Sequence, residues 1–303
     1  MTGRDPRRSP EGNMTIEIAP EALLPVAFVF GLLVGSFLNV VIHRVPEGLS
    51  VVSPPSRCPG CESAIKPWDN VPVLSWLLLR GRCRACSTSI SMRYPAVELL
   101  TGLLFAAISW RFGPTAWAML YCLFGAALIC AAMIDHDHQI IPDSISLGGL
   151  AAALVLVPAV TAWTGGDFVT ALWRSSLGTA IGAGTLWTVA FVHARVAVAM
   201  GRTFEHWPGE GEALPTPREA DYWLWFPGLG LGDVKLLGMI GAVVGPLGVL
   251  DTILASSLAG LLLGSAQALS RGALGRPFGF APAIAVGTVA ILFLPRMWLL
   301  QVL

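Results

Sequence analysis

The sequence predicts an all-α polytopic membrane protein of about eight transmembrane helices carrying one small, polar, cysteine-bearing insert. Three observations lead there. The mean hydropathy is +0.69, only 13% of the residues are charged, and the apolar residues fall in long uninterrupted runs. An ordinary soluble domain carries ~25% charged residues. The net charge is zero, which removes any electrostatic reason to expect a nucleic-acid partner.

A span needs ~20 mainly apolar residues. Runs of that kind lie at about 22–42, 95–110, 112–134, 144–163, 175–195, 234–250, 252–270 and 278–295, the second, sixth and last being short. Residues 1–21 form a tail, polar and rich in Pro and Arg through Asn13, that reads as disordered. Met14 is a second possible start. The first run, 22–42, has no small-residue cleavage site after it and reads as a retained helix rather than a removed signal. Residues 43–94 are the polar insert, and 95–303 the remaining membrane domain. Within the latter, 201–229 is an enlarged loop rich in Gly, Pro and Glu, with Trp207, Trp223 and Trp225 expected in the interfacial aromatic belt. Gly31/Gly35, Gly178/Gly182 and Gly260/Gly264, each four apart, predict close helix packing.

Basic residues set the orientation. With eight spans and the insert in the cytoplasm, 13 of the Lys and Arg residues lie inside and 6 outside, three of the six being in the tail. Positive charge favours the cytoplasmic side. The segments around Asp135 and Asp233 then fall at one depth on the cytoplasmic face, with no assumption about chemistry.

Cys58-Pro59-Gly60-Cys61 and Cys83-Arg84-Ala85-Cys86 are two C-x-x-C hooks 21 residues apart. Four thiolates complete a tetrahedral, closed zinc site, which is structural rather than catalytic. A pair of disulfides is the alternative, and a reducing cytoplasm opposes it. Cys122 and Cys130, inside a span, read as buried apolar side chains.

Two acidic motifs sit at the edges of apolar runs: Met133-Ile134-Asp135-His136-Asp137-His138 and Gly230-Leu231-Gly232-Asp233-Val234-Lys235. A carboxylate at the centre of a membrane helix costs ~2.5–3.5 kcal/mol on insertion scales, so such acids point to function. Two carboxylates held together cannot both ionise cheaply and share a proton. One then deprotonates water while the other polarises a peptide carbonyl. Gly230 and Gly232 leave the backbone beside Asp233 bare, so that an extended peptide can approach. Taken alone, Asp233 would read as a helix N-cap. Asp143 also reads as an N-cap, Asp137 as facing the loop, and Lys235 as snorkelling to the interface. Glu98 is a further buried acid, expected to pair with an arginine of the insert. His136 and His138 lack H-E-x-x-H spacing, and no catalytic metal is expected.

These motifs, taken in order, resemble the type IV prepilin leader peptidases, some of which are bifunctional. The resemblance covers nearly the whole chain from about residue 26. It runs through Gly35-Ser36-Phe37-Leu38-Asn39, both cysteine hooks and Asn70-Val71-Pro72-Val73-Leu74-Ser75-Trp76. It continues with Arg80-Gly81-Arg82-Cys83, Arg93-Tyr94-Pro95-Ala96-Val97-Glu98, both acidic motifs and Pro277-Phe278-Gly279.

The resemblance implies an aspartic endopeptidase in the bacterial cytoplasmic (inner) membrane, with Asp135 and Asp233 as the catalytic pair facing the cytoplasm. Its substrates would be prepilins or pseudopilins of type IV pilus or type II secretion systems, cut after a short basic leader. In many relatives a second activity methylates the new N-terminus with S-adenosylmethionine, and the cysteine insert accompanies those forms. One departure is the 98-residue separation of the two acids, which the enlarged loop accounts for. Three other readings stand beside this one: a G-x-G-D protease of other membrane substrates, a proton-coupled transporter and a non-catalytic scaffold. The first of these enzymes carries Tyr-Asp where this chain has Ile134-Asp135, and lacks the insert.

Overall fold

A computed structural model describes residues 20–202, 214–224, 230–271 and 279–294; residues 1–19, Trp207, Trp225, Pro277 and Phe278 lie outside that set. The described residues form α1 (Pro20–Arg44), a 3-10 turn at Pro67–Asp69, α2 (Leu74–Leu78), α3 (Arg93–Phe112), α4 (Ala116–His138) and α5 (Asp143–Trp163). They continue with α6 (Phe168–Ala199), α7 (Ala220–Leu224), α8 (Leu231–Arg271) and α9 (Ala281–Phe293). There is no strand among them, only two isolated bridges in the insert. Six helices, α1, α3, α4, α5, α6 and α8, are long and apolar enough to cross a membrane.

Local chemistry sets the helix ends. Thr115 caps α4 by accepting the Ala118 N–H at 3.2 Å, and Asp167 caps α6 by accepting that of Thr170 at 2.6 Å. Gly113 (φ +64°) stops α3, and Gln139 (φ +53°) stops α4 in the left-handed conformation that closes many helices. Because α4 runs on to His138, Asp135 falls within its last turn rather than beyond its end. Trp110, Trp163 and Trp173 stand strongly exposed at the ends of α3 and α5 and the start of α6, where an aromatic belt would lie.

Eight apolar runs become six membrane-length helices for a definite reason. The last run contributes only the 13 residues of α9 to the described structure. The sixth and seventh merge into α8, whose backbone breaks at Gly245 (φ +80°, ψ −179°) just before Pro246. A methyl group built on Gly182 would stand 2.4 Å from the Leu237 carbonyl oxygen and 2.9 Å from Val249 Cγ2. Twelve residues of straight helix would hold Leu237 and Val249 about 18 Å apart. The chain therefore reverses at Gly245, and both arms of α8 lie against the same turn of α6. Hydropathy placed the boundary near residue 251; the Gly-Pro step places it six residues earlier.

Two of the three glycine pairs bring backbones together as expected; in the third, Gly260 faces the Phe280 ring and Ala283 Cβ. A methyl on Gly31 or Gly35 would meet the Cα of Gly102 or Glu98 in α3 at 2.7 Å, and one on Gly178 would meet the Gly241 carbonyl at 2.0 Å. Such approaches leave no room for a side chain. The continuous core joins α1, α3, α4, α5, α6, α8 and α9, with Ile108, Ile134, Leu236, Ile240 and Ile284 almost fully enclosed.

Candidate active site

Asp135 is 5% exposed. Its Oδ2 accepts the N–H of Ala281, the first residue of α9, at 2.9 Å. Asp233 sits in the first turn of α8, with Oδ1 buried and unpartnered among the described residues. It lies within electrostatic reach of Asp135. Helix α9 packs on both α4 and α8.

The other acids nearby are engaged elsewhere. Asp137 pairs with Arg93 at the start of α3, and Arg93 also donates to the Met133 carbonyl at 3.2 Å. Asp143 accepts Lys235 Nζ at 2.6 Å. Lys235 therefore does not snorkel free, and Asp143 is the first residue of α5, not its N-cap. Both ion pairs tie an α4–α5 acid to a cation of another helix; among the described residues Asp135 and Asp233 are in no ion pair. His136 and His138 are exposed.

The two glycines of the second motif differ. A methyl on Gly232 would touch Ile141 Cβ at 3.1 Å, so its bareness seats α8 against the α4–α5 turn instead of opening the backbone to a peptide. Gly230 has open space on its side-chain face. Only there does the expectation of an accessible backbone fit the geometry.

Before the second motif, the described part of the enlarged loop folds onto α6. Thr216 donates twice to the Glu219 carboxylate, from its N to Oε2 at 3.2 Å and from its hydroxyl to Oε1 at 2.9 Å. Trp223 stacks on Phe191 with centroids 5.3 Å apart, and Phe191 stacks on Trp187 at 5.0 Å. Trp187 Nε1 donates to the Trp223 carbonyl at 2.9 Å, and Arg195 lies over the Tyr222 ring at 3.6 Å. Trp223 is thus held against α6.

In the insert, Cys58, Cys61, Cys83 and Cys86 place their sulfurs within 4.8 Å of one another, and none is in a disulfide. A tetrahedron of thiolates at ~2.3 Å from zinc has edges of about 3.8 Å; Cys58 and Cys86 Sγ are 3.7 Å apart. The donor set therefore fits zinc. The two hooks repeat one turn. Glu62 N–H bonds back to the Cys58 carbonyl at 2.8 Å, and Ser87 N–H bonds to that of Cys83 at 2.9 Å. Glu62 and Ser87 each take positive φ, and the Ser63 and Thr88 hydroxyls lie 3.0 and 3.1 Å from Cys61 and Cys86 Sγ. Beside them the Arg84 guanidinium holds the Asp69 carboxyl below the usual carboxylate range.

The insert is fastened to the membrane helices through Glu98, 8% exposed, which accepts the Val73 N–H at 2.7 Å. Its partners are this backbone group and the Ser36 side chain of α1, not an arginine of the insert. Val73 is the centre of a γ-turn of the rare positive-φ kind (φ +60°, ψ −49°), closed by Leu74 N–H on the Pro72 carbonyl at 2.6 Å. Asn39 of α1 donates to the Tyr94 carbonyl at 3.1 Å. The Gly35–Asn39 and Asn70–Trp76 motifs thus meet at one junction around α3.

Comparison with known proteins agrees with this arrangement. Residues 29–112 match the model of the bacterial peptidase A24 N-terminal domain, and residues 122–265 that of the type IV leader peptidase family. A prepilin leader peptidase/N-methyltransferase of Stutzerimonas stutzeri is 37% identical over 90% of this chain and 92% of its own length. That of Neisseria gonorrhoeae is 35% identical over 87% of each. A type 4 prepilin-like proteins leader peptide-processing enzyme of Escherichia coli O78:H11 is 34% identical over 92% of this chain and 97% of its own length. No solved structure matches. With relatives this similar along nearly its whole length, the chain belongs to the type IV leader peptidase family.

Proposed function

We propose that this protein is an aspartic endopeptidase of the bacterial inner membrane that removes the leader of type IV prepilins or pseudopilins at the cytoplasmic face. The observation that carries the reading is the division among neighbouring acids. Asp137 and Asp143 hold cations, whereas among the described residues Asp135 and Asp233 are in no ion pair; Asp135 is buried, Asp233 is half-buried with its Oδ1 enclosed, and the two lie within electrostatic reach of each other. One carboxylate takes a proton from water as that water attacks the scissile carbonyl, and the other gives its proton to the carbonyl oxygen; the first then passes its proton to the amide nitrogen as the C–N bond breaks, and the second recovers one from the hydroxyl as the new carboxyl forms. The substrate's apolar helix lies in the bilayer, which puts the bond after its leader at the depth of the acids.

Eight membrane segments follow if the two arms of α8 cross separately and the last apolar run crosses as α9, with the insert inside. Zinc on the four cysteines then staples a segment too small to hold its own core and takes no part in hydrolysis. N-methylation of the trimmed N-terminus, with S-adenosylmethionine as donor, belongs to the same proposal through the relatives' names.

Mass spectrometry of a co-expressed prepilin tests both activities. The expected product lacks its leader and carries one added methyl group. A prepilin that keeps its leader beside abundant, membrane-inserted enzyme removes the peptidase reading. Proton-dependent uptake by reconstituted vesicles, without cleavage, favours a transporter.

A further inference from the structure

The segment opening α9 touches Asp135 more closely than any other part of the chain for which a contact is known. A methyl built on Gly279 would stand 2.0 Å from Asp135 Oδ2, 2.4 Å from Cγ and 2.7 Å from the Asp135 carbonyl oxygen, closer than side-chain carbons approach other atoms. Two residues on, the Ala281 N–H holds the same Oδ2 at 2.9 Å. We propose that Gly279 and the Ala281 amide are positioning groups for Asp135: the bare backbone at 279 admits the carboxylate, and the amide at 281 fixes its rotation so that Oδ1 is left for the reaction. This rests on the reading of Asp135 as a catalytic acid.

Beyond its first turn, α9 is held by packing alone. Ala281 is 0% and Ile284 1% exposed. A methyl on Gly260 would meet Phe280 Cε2 at 2.8 Å, and one on Gly287 would meet Ser256 N at 2.5 Å, so α9 is seated tightly along the second arm of α8. The opening of α9 thus grips Asp135, and the rest of the helix rests on the second arm of α8.

Gly279→Ala and Gly287→Ala separate positioning from packing. Both force a methyl into α9 contacts, but residue 287 lies about 9 Å along the helix from Ala281. Prepilin cleavage by the full chain in membranes should show kcat lowered roughly 100-fold by Gly279→Ala, as for other small misplacements of a reacting group. Its KM should be unchanged and its pH–kcat profile displaced. Gly287→Ala should lower the melting temperature while keeping the wild-type kcat and pH profile. Wild-type kcat and pH profile for Gly279→Ala, or the same kcat loss in Gly287→Ala, overturns the proposal.

If Gly279→Ala does not accumulate, the Ala281 amide is read directly in ¹⁵N-alanine-labelled protein. Its proton resonance should move on Asp135→Asn, and an unmoved resonance overturns the contact. Cleavage that survives Asp135→Asn defeats the underlying catalytic reading. A dead Asp135→Asn beside a fully active Gly279→Ala defeats only the positioning role.

Discussion

Replacing Glu98 by alanine tests how the cysteine insert is joined to the membrane helices. Glu98 is buried and accepts the N–H of Val73, a residue in a backbone conformation that costs on the order of 1–3 kcal/mol wherever it occurs. Alanine removes the acceptor and leaves that N–H without a partner, a loss of about 1–3 kcal/mol. The γ-turn then loses its tie to α3 and keeps only its local hydrogen bonds. Local opening of residues 70–78 should become about 5- to 150-fold more frequent, from the same 1–3 kcal/mol at ~1.36 kcal/mol per tenfold. Hydrogen–deuterium exchange of the purified protein in lipid reads this directly, as faster exchange in that stretch alone. Glu98→Gln keeps a carbonyl acceptor and should recover most of the protection. Unchanged exchange in the alanine variant would show that Val73 is held by its own loop, and the reasoning about the junction would be refuted.

Three further outcomes follow from the same geometry. Metal analysis should find one zinc per chain, and chelation should speed proteolysis of residues 43–92 while leaving leader removal in place; a metal-free native protein contradicts this. Asp137→Asn and Asp143→Asn each leave one cation unpaired, at an expected cost within ~1 kcal/mol for partly exposed pairs, and should keep at least partial cleavage. Complete loss in either reopens the choice of acids. Gly182→Ala drives a methyl to within 2.4 Å of the Leu237 carbonyl and should destabilise the α6–α8 contact by about 1–3 kcal/mol, seen as a lower melting temperature.

Much of this architecture was legible in the sequence because its signals are local. Long apolar runs marked the helices, paired hooks marked the four-thiol cluster, and glycines four apart marked the close crossings. The reversal at Gly245 was not legible, since hydropathy averages over a bend inside an apolar run; the Gly245-Pro246 step was the signal available. Neither was the pairing of Lys235 with Asp143, 92 residues away, nor that of Arg93 with Asp137. Periodicity carries no information about which distant cation meets which acid, and for the same reason Glu98 was given an arginine when its partners are a backbone amide and the Ser36 side chain. Gly232 looked like an access point because a glycine beside an acid has two uses, and only the neighbouring Ile141 decides between them. The role of Gly279 was hidden likewise, although its motif stood in plain view.

Single-turnover cleavage of a prepilin by Asp135→Asn, Asp233→Asn and the double variant tests the two-acid account most directly. Acids that act as one unit lose nearly everything when either is removed, so the double variant should be no slower than each single variant. All three proteins should remain inserted in the membrane. A single variant that cuts at the wild-type rate, or losses that multiply in the double variant, would contradict the account.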